Sequence, residues 1–468
     1  MNANVFRGGT AMLEEQLRKI EEEVCSWGDT VHYATTPPIF KKCKGSFLWD
    51  NKGRQYLDWQ MWYSACNFGY GNRFIIDALK KQLDELPQLA CQYLHEEKIL
   101  LSKEIADITQ ESVGMNGRVQ FNVGGSSAVE DALKLARNYT HKQLAFAFYG
   151  GYHGRTLGAT AVTSSARYRK SYGHFGDRAI FIPYPYCFYC FYNMKPENCD
   201  LYCARMFERL FETEYFSIVD KQGDPEPGMI IFEAVQGTGG YAKPPEGYFE
   251  RIAEVCKECG MLMIDDEIQM GFFRTGKMWS IEHYGITPDI IVFGKALTNG
   301  LNPISGMIAK KKLMEHDIWG PGMTHCTFSS NPLGTACGLA VMELIRRENF
   351  EDKANHIGEY LTKQLKEIES KYPMIGHVDN LGAAIRVEIT YPDGRTPNRE
   401  LCSKIFDEGL NPNIQASDGK RYGLILDQGG WYKSTFTIAP NLYSTDEELD
   451  LGAELFEKIT KGVSEEKR

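Results

Sequence analysis

The sequence predicts an α/β protein, with a mainly parallel sheet in a large domain and a smaller α+β domain near the C-terminus. Apolar runs of strand length alternate with helical patterns through the middle of the chain, which is the order typical of a doubly wound sheet. Two of these runs end close to the polar residues Asp266 and Lys295, at the sheet edge where open α/β sheets place their ligands. The last part of the chain mixes helices and strands, which predicts the second domain.

The N-terminal part predicts a helix followed by a hairpin. Residues 1–28 carry apolar positions at helical spacing, and residues 44–59 alternate apolar and polar residues around Asn51-Lys52-Gly53, a hairpin signal. The expected divisions are an N-terminal segment that packs with the small domain (1–75), the large domain (76–340) and the small domain (341–468).

The remaining elements follow from hydrophobic period and turn residues. In the large domain we expect helices over 74–86, 95–109, 128–138, 202–214 and 246–259, with strands over 119–123, 144–148 and 229–232. In the second half we expect helices over 333–347, 352–371, 399–408 and 445–459, with strands near 383–388 and 436–438. Residues 411–420 have a linker-like composition.

Composition excludes several classes of protein. The 468 residues carry a formal net charge of −10, whereas binding to nucleic acid or an anionic membrane requires a basic surface. No apolar stretch reaches membrane-spanning length and no export signal is evident, so we expect a cytoplasmic location without nucleic-acid or membrane partners.

The 13 cysteines are an odd number, and we expect reduced thiols. Cys187, Cys190, Cys199 and Cys203 form two close pairs, a spacing that fits either a zinc site or a packed surface insertion. We assign no metal to them.

The acid and the lysine at the strand ends suit a pyridoxal phosphate enzyme. A lysine amine can form a Schiff base with an aldehyde, and a carboxylate held against a pyridine nitrogen keeps that nitrogen protonated so that the ring accepts electrons. Asp265, Asp266 and Glu267 follow one apolar run, and Lys295 follows the next. These residues therefore predict a covalently held, electron-accepting cofactor.

The motifs around these residues resemble a known family. The patterns D-E-x-Q, G-x-x-R-x-G and P-D-(apolar)4-G-K are similar to the signature of the class III, or omega, aminotransferases of fold type I. The resemblance implies a seven-stranded-type sheet and pyridoxal 5′-phosphate as cofactor. It also implies that Asp266 contacts the pyridinium nitrogen, Gln269 lies near the ring 3-oxygen and Lys295 forms the Schiff base.

A second motif predicts the phosphate site. A strand, the sequence Gly124-Gly125-Ser126-Ser127 and a helix follow one another, an arrangement that offers backbone N–H groups and the positive end of a helix dipole to an anion. The resemblance implies phosphate contacts from Gly125 and Ser126. Ser127 departs from the family, which usually has glutamate there.

Three further residues are assigned through the resemblance. Tyr152 matches the aromatic residue that stacks on the cofactor ring, and His153 follows it in the family's aromatic-H-G-R-T run. Glu233 follows a strand, in the position of a glutamate that often pairs with a C-terminal arginine. We therefore expect Lys295, Asp266 and Tyr152 to be catalytic, with the others binding the cofactor.

The resemblance also implies a shared active site. Thr327 lies in a turn that matches the family's threonine reaching the phosphate of the neighbouring subunit's cofactor. We therefore expect a homodimer or a dimer of dimers.

The substrate side departs from the family. The positions that usually carry carboxylate-binding arginines hold Thr437 and Asp427, which argues against 2-oxoglutarate and glutamate as substrates. Trp62 and Tyr63 stand where small residues are usual, and they either narrow the pocket mouth or belong to the core. The remaining candidate anion binders are Arg155, Arg386, Arg421 and Lys433.

The function expected from these observations is transfer of an amino group between a small amine or amino acid and a keto acid or aldehyde. Because the arginines are absent, two alternative functions stay open. One is a lyase that releases ammonia or phosphate from a small amino-phosphonate or amino-phosphate, and the other is an amino-acid racemase. A scaffold protein that kept the fold without the cofactor is an alternative of another class, and the intact Lys295, Asp266 and Tyr152 argue against it.

Overall fold

The computed structural model describes residues 14–26, 28, 37–169 and 179–465. The helices are α1 (Glu14–Val24), α2 (Met61–Ser64), α3 (Arg73–Glu85), α4 (Glu96–Val113), α5 (Gly125–Thr140), α6 (Leu157–Ala161), α7 (Pro196–Cys199), α8 (Tyr202–Glu208), α9 (Tyr248–Glu258), α10 (Pro332–Arg347), α11 (Phe350–Lys371), α12 (Arg399–Gly409) and α13 (Asp446–Glu465). Short 3-10 turns cover Ala166–Tyr168, Arg209–Phe211, Glu214–Phe216, Ser280–Tyr284, Lys295–Thr298 and Lys311–Leu313.

The strands form three sheets in the described residues. They are β1 (Phe40–Lys44), β2 (Phe47–Asp50), β3 (Gln55–Asp58), β4 (Gly117–Asn122), β5 (Leu144–Phe148), β6 (Ala179–Ile182), β7 (Pro227–Phe232), β8 (Leu262–Asp266), β9 (Ile290–Phe293), β10 (Ser305–Lys310), β11 (Ile375–Leu381), β12 (Ala384–Ile389), β13 (Ile414–Gln415), β14 (Arg421–Ile425), β15 (Gln428–Gly429) and β16 (Thr435–Ile438).

The large sheet has seven strands in the order β4-β10-β9-β8-β7-β5-β6. Strands β5 to β9 pair in parallel, whereas β10 is antiparallel to both of its neighbours. The central strands β7, β8 and β9 are buried throughout, as expected for a sheet covered by helices on both faces. The predicted α/β class with a mainly parallel sheet is confirmed.

Two smaller sheets bring the ends of the chain together. One has the order β1-β2-β3-β14-β13 and the other β11-β12-β16-β15. The predicted N-terminal hairpin is β2 and β3, and β3 pairs in parallel with β14, with Leu57 opposite Leu424. The segment before the large sheet is thus hydrogen-bonded to the C-terminal part.

The structure changes three sequence-based boundaries. Residues 411–420 are not a linker but hold the first strand and the turn of a hairpin, because β13 pairs with β14 across a turn that Asp418 and Gly419 close. The helix predicted over 202–214 ends at Glu208 and continues as the 3-10 turn Arg209–Phe211. The helix predicted within 1–28 is α1, and residues 1–13 lie outside the described part.

Within the described residues, none of the helices combines the length and the apolar composition that crossing a bilayer requires.

Arg274, from the G-x-x-R-x-G motif, joins distant parts of the chain. Its side chain is fully buried, and its guanidinium donates to the carbonyl oxygens of Ala383 (3.1 Å) and Pro440 (2.6 Å) and to Asn67 Oδ1 (2.6 Å). Burial lowers the pKa of Arg274 to about 10. The arginine of this motif therefore holds the segment after β8 against both the N-terminal and the C-terminal regions.

We expect Arg274→Met to lower the free energy of unfolding by about 3 kcal/mol or more, because it leaves three buried acceptors without donors. Urea denaturation at fixed protein concentration measures this loss. Arg209→Met is the matched control, since Arg209 is exposed and lies 3.6 Å from Glu212, and should change stability by about 0.5 kcal/mol or less. Equal effects of the two substitutions would contradict the bridging role.

Candidate active site

A cavity of about 330 Å³ lies at the C-terminal ends of β7, β8 and β9. It is the edge at which α/β sheets bind ligands, and its volume lies within the usual range for small-molecule sites of about 300–1,000 Å³. The predicted site residues that line it are Gly125, Ser126, Tyr152, His153, Glu233, Asp266, Gln269 and Lys295. Eight side chains or backbone segments that are far apart in sequence thus meet around one space.

Lys295 enters the cavity from the turn after β9. Its ammonium donates to Gln269 Oε1 at 2.9 Å. Burial lowers the pKa of Lys295 from its ordinary value of 10.5 to about 8, although the charges of Asp266, Glu233 and Asp427 oppose the shift. A much larger fraction of this amine than of an ordinary lysine is therefore neutral, and nucleophilic, near neutral pH.

We expect the reaction of Lys295 with an amine-selective acylating reagent, in protein freed of cofactor, to rise with a midpoint near pH 8. The lowered pKa means that the amine is protonated below this value and neutral above it. Peptide mass spectrometry across a pH series measures the midpoint. Glu233→Gln removes a charge that raises the pKa of Lys295 and should move the midpoint lower, whereas a midpoint near 10.5 in the unaltered protein would contradict the desolvated amine.

Asp266 ends β8 on the cavity side. Its Oδ2 lies 2.7 Å from Nδ1 of the buried His153, and its Oδ1 accepts from the backbone N–H of Ile268 at 3.2 Å. Burial lowers the pKa of His153, but the hydrogen bond to Asp266 and the charges of Asp266 and Glu233 outweigh that effect and raise it. The histidine therefore fixes the orientation of the carboxylate.

The two flanking carboxylates lie away from the cavity. Successive residues of a strand face opposite sides of the sheet, so Asp265 and Glu267 flank Asp266 without lining the same space. Glu267 instead accepts hydrogen bonds from the Ser280 hydroxyl (2.7 Å) and the Ile281 N–H (2.9 Å). Of the three acids at this strand end, only Asp266 reaches the cavity.

Glu233 follows β7 and is held by backbone groups. Its Oε1 accepts from the N–H of Tyr152 at 2.8 Å, and its Oε2 accepts from the N–H of Gly237 at 2.7 Å. Burial raises the pKa of Glu233 to about 7, against the charge of His153 and the two backbone bonds. These N–H groups are the partners of Glu233 where the family often has an arginine.

Tyr152 forms one wall. Its ring packs edge to face against Tyr168, with centroids 5.3 Å apart, and its hydroxyl accepts from Nε of Arg155 at 3.3 Å. One ring contact and one hydrogen bond therefore fix the orientation of the ring that faces the cavity.

The predicted phosphate loop is the N-terminus of α5. The first N–H groups of an α-helix have no partner inside the helix, and here they belong to Gly125 and Ser126. No atom lies within 4 Å of the position that a Cβ on Gly124 would take, so the backbone is open to a ligand. Gly154 has φ +133, and a Cβ there would lie 2.2 Å from Ser126 Oγ, so glycine is needed where these two loops meet.

These features fit pyridoxal phosphate. An open helix N-terminus suits its phosphate, an aromatic wall suits its ring, a buried carboxylate suits its pyridine nitrogen and a desolvated lysine suits its aldehyde. All four belong to the same cavity.

Thr327 does not line the cavity of its own chain. It lies on an exposed loop before α10. If Thr327 contacts a cofactor, that cofactor would therefore be the one bound by a second subunit. Its predicted role stays a prediction.

Three of the four candidate anion binders already have partners. Arg386 is buried and ion-paired with Glu388, Arg421 is exposed and donates to the carbonyl of Asn413, and Arg155 bonds to Tyr152. The ammonium of Lys433 makes no hydrogen bond or ion pair with a described residue, and this side chain lines a neighbouring cavity.

Sequence reasoning left some lining residues out. Ile268, Gly300, Pro303, Ile304 and Ser305 also line the cavity. Ile268 could have been found from its place between Asp266 and Gln269 in the D-E-x-Q pattern, whereas the 300–305 loop carries no such signal. For Trp62 and Tyr63 the sequence allowed a place either at the pocket mouth or in the core, and both residues line the cavity.

The four clustered cysteines border a narrow space of about 30 Å³, away from this site. All cysteines of the chain are free thiols, and in the part of the chain that the structure describes no group of three or more metal-ligating side chains has the geometry to hold an ion. Burial raises the pKa of Cys187 to about 11 and of Cys203 to about 12, as expected for thiols packed among aromatic rings.

Comparison with known proteins agrees with this geometry. The sequence matches the family of class III aminotransferases over residues 30–460. It is 33% identical over 396 residues to a diaminobutyrate–2-oxoglutarate aminotransferase of Haemophilus influenzae, covering 84% of each chain. It is also 30% identical to an alanine/serine racemase of Pyrococcus horikoshii, covering 96% of this chain and 90% of the racemase.

The fold is similar to that of an amine transaminase from an uncultivated Pseudomonas species in its PLP-bound form. The TM-score is 0.83 at 25% identity, covering 94% of this chain and 99% of the transaminase. With the family match, this agreement extends from the cofactor motifs to nearly the whole chain. The chain belongs to the class III aminotransferase family, with the fold type I architecture and pyridoxal 5′-phosphate as its cofactor.

Proposed function

We propose that this aminotransferase moves an amino group between a small primary amine or amino acid and a keto acid or aldehyde. The observation that carries the proposal is the pairing, across one cavity, of a desolvated lysine with a buried carboxylate. Lys295 has a pKa lowered to about 8, and Asp266 is held by His153 at 2.7 Å. A proton carrier and a fixed negative charge are the two groups that amino transfer requires from the protein.

Pyridoxal phosphate supplies, when bound, an aldehyde that accepts amino groups and a ring that accepts electrons. Asp266 would stabilise positive charge at the ring nitrogen, because its carboxylate is buried and oriented. Tyr152 would hold the ring plane, and the N–H groups of Gly125 and Ser126 would bind the phosphate. Lys295 Nζ would take the proton from the amine-bearing carbon of the substrate and deliver it to the carbon that carried the aldehyde, which is the proton movement that amino transfer requires.

The pocket mouth restricts the substrate to a small molecule. Trp62 and Tyr63 line the cavity from a left-handed turn, with φ of 53° and 56°. A Cβ on Gly300 would lie 2.7 Å from the Trp62 ring, so the loop at Gly300 packs closely under the indole. Bulky rings at this position leave little room for a large side chain on the substrate.

A racemase is the second candidate, because the relative from Pyrococcus horikoshii bears that name and because Thr437 and Asp427 replace the usual arginines. The lyase acting on an amino-phosphonate or amino-phosphate is tested together with it. Purified holoenzyme would be mixed with single-enantiomer amines and no keto acid. Conversion of one equivalent followed by arrest indicates amino transfer, continuous release of ammonia or phosphate indicates a lyase, and loss of enantiomeric purity without consumption indicates a racemase.

We also propose a homodimer, or a dimer of dimers, in which Thr327 completes the phosphate site of its partner. Thr327 is exposed and absent from its own cavity, and the neighbouring Phe328 is 70% exposed. A large exposed ring beside a polar side chain suits a subunit interface.

The shared site predicts complementation. Thr327→Ala should weaken cofactor affinity about 10- to 100-fold through loss of a hydrogen bond to phosphate. Mixing this variant with inactive Lys295→Ala subunits should restore tight cofactor binding and activity at sites that combine Lys295 from one subunit with Thr327 from the other. Activity at limiting cofactor measures the gain, and mixtures that show only the activity of Thr327→Ala would contradict a shared site.

A further inference from the structure

A second cavity of about 280 Å³ adjoins the cofactor pocket. Tyr152 lines both spaces, so the two cavities share this side chain as a common wall. Two cationic side chains, Arg167 and Lys433, also line it. A molecule whose amino group reaches Lys295 could therefore extend past Tyr152 towards positive charge.

Lys433 is held in place by its backbone. It lies in the turn after β15, where its N–H donates to the carbonyl of Gly430 at 3.2 Å and its own carbonyl accepts from Gln428 Nε2 at 2.7 Å. The side chain is half-buried, and no residue of the described ranges accepts a hydrogen bond from the ammonium or pairs with it. A partly buried ammonium without acceptors is unfavourable, so an oxyanion in the cavity would satisfy it.

The surrounding charges favour an anion. Burial lowers the pKa of Lys433. The charge of Asp427 raises this pKa, whereas the charges of Arg167 and Arg399 lower it further. Asp427 itself accepts a hydrogen bond from the Thr437 hydroxyl at 2.5 Å, and burial raises its pKa. Among the described residues whose charges act on Lys433, two are cationic, Arg167 and Arg399, and one is a carboxylate, Asp427.

We propose that Lys433 binds the terminal oxyanion of the substrate, a carboxylate or phosphonate, while the substrate's amino group faces Lys295. The lysine would take the place of the arginines that the family usually carries at positions 437 and 427. The inference rests on the proposed amino transfer and specifies its substrate class as small amines that bear an acidic group.

The test compares three amines of similar length, β-alanine, 2-aminoethylphosphonate and propylamine, with holoenzyme and one saturating aldehyde as the common amino acceptor. We expect the unaltered enzyme to convert one or both acidic amines with a kcat/KM about 10- to 100-fold above that of propylamine, the range of a charged hydrogen bond. Lys433→Met should remove most of this preference through KM and leave propylamine conversion within about threefold. The preferred acidic amine identifies the oxyanion.

Two further variants separate recognition from folding. Lys433→Arg should keep the preference, because it retains the charge. Lys404→Met is the matched control, since Lys404 is an exposed lysine of α12 whose ammonium lies 3.4 Å from Glu400 Oε1, and it should behave as the unaltered enzyme. A second readout is chemical: propionate should protect Lys433, but not Lys404, from acylation in the holoenzyme.

The outcomes that overturn the inference are distinct. If the unaltered enzyme converts propylamine with the same kcat/KM as the two acidic amines, the enzyme has no oxyanion site. A preference that survives in Lys433→Met, or an equal loss for all three amines, removes Lys433 from recognition. An enzyme that converts none of the amines, while propionate still protects Lys433, contradicts the amino transfer and not the anion site.

Discussion

Lys295→Ala should lose the visible absorption of the lysine-bound cofactor and lower kcat by about 1,000-fold or more. Among the described residues that line the cavity, Lys295 is the only one with a side-chain amine, and its pKa is brought down to about 8, so none of these neighbours can replace it as nucleophile and proton carrier. General acid–base catalysis alone contributes about 100- to 10,000-fold, and the covalent attachment adds to this. Absorption spectra and single-turnover kinetics measure the two losses separately.

Lys312→Ala is the control, because Lys312 is exposed on the 3-10 turn after β10. The cavity is lined by Ser305, at the other end of the same strand. Its spectrum and kcat should match those of the unaltered protein. A Lys295→Ala protein that keeps both its visible band and its turnover would place the reactive amine elsewhere. An unaltered protein that never acquires the band would favour the scaffold alternative.

The elements that carry the site could be predicted from sequence because each has a strong local signal. The apolar runs that become β8 and β9 end at Asp266 and close to Lys295, and parallel strands bring their C-terminal ends to one edge. The glycines and serines before α5 mark a helix N-terminus open to an anion. The sequence pattern therefore predicts the position of a site residue correctly where that position depends only on the end of a strand or helix.

The substrate side could not be predicted in the same way. Arg386, Arg421 and Lys433 are indistinguishable as single charges in a sequence, yet one is buried against Glu388, one is exposed and one lines a cavity. The difference comes from tertiary contacts made by residues far apart in the chain. Arg167, which also lines that cavity, carried no motif at all.

Strand alternation explains a finer difference. The run Asp265-Asp266-Glu267 shows three acids in sequence, but the pleat sends only the middle one into the cavity. The hairpin at 411–420 shows the converse: a polar, turn-rich composition read as a linker becomes ordered because β14 supplies a pairing edge. The pleat of the strand decided the first case, and pairing between neighbouring strands decided the second.

Asp266→Asn should lower kcat by about 100- to 1,000-fold while the protein stays folded and keeps its cofactor. Asparagine has nearly the same shape and can still accept the hydrogen bond of His153 Nδ1, which lies 2.7 Å from Asp266 Oδ2. The negative charge is lost, however, and a preorganised charge in a buried site is worth about this factor. Lys295 and the helix N-terminus are untouched, so attachment and phosphate binding should persist.

The same substitution should change His153 in a measurable direction. The hydrogen bond and the charge of Asp266 raise the pKa of His153 against burial, and the charge of Glu233 adds to them. Asp266→Asn should therefore lower this pKa, and the His153 resonance followed by NMR should titrate at lower pH than in the unaltered protein. Asp84→Asn, on the exposed face of α3, should change neither kcat nor that resonance. A kcat of Asp266→Asn within about threefold of the unaltered enzyme, with the histidine shift present, would mean that the carboxylate orients His153 and does not support the ring nitrogen. Loss of both cofactor and fold would mean that the buried Asp266–His153 pair is structural. Only a loss of kcat with the cofactor retained fits the role assigned to Asp266.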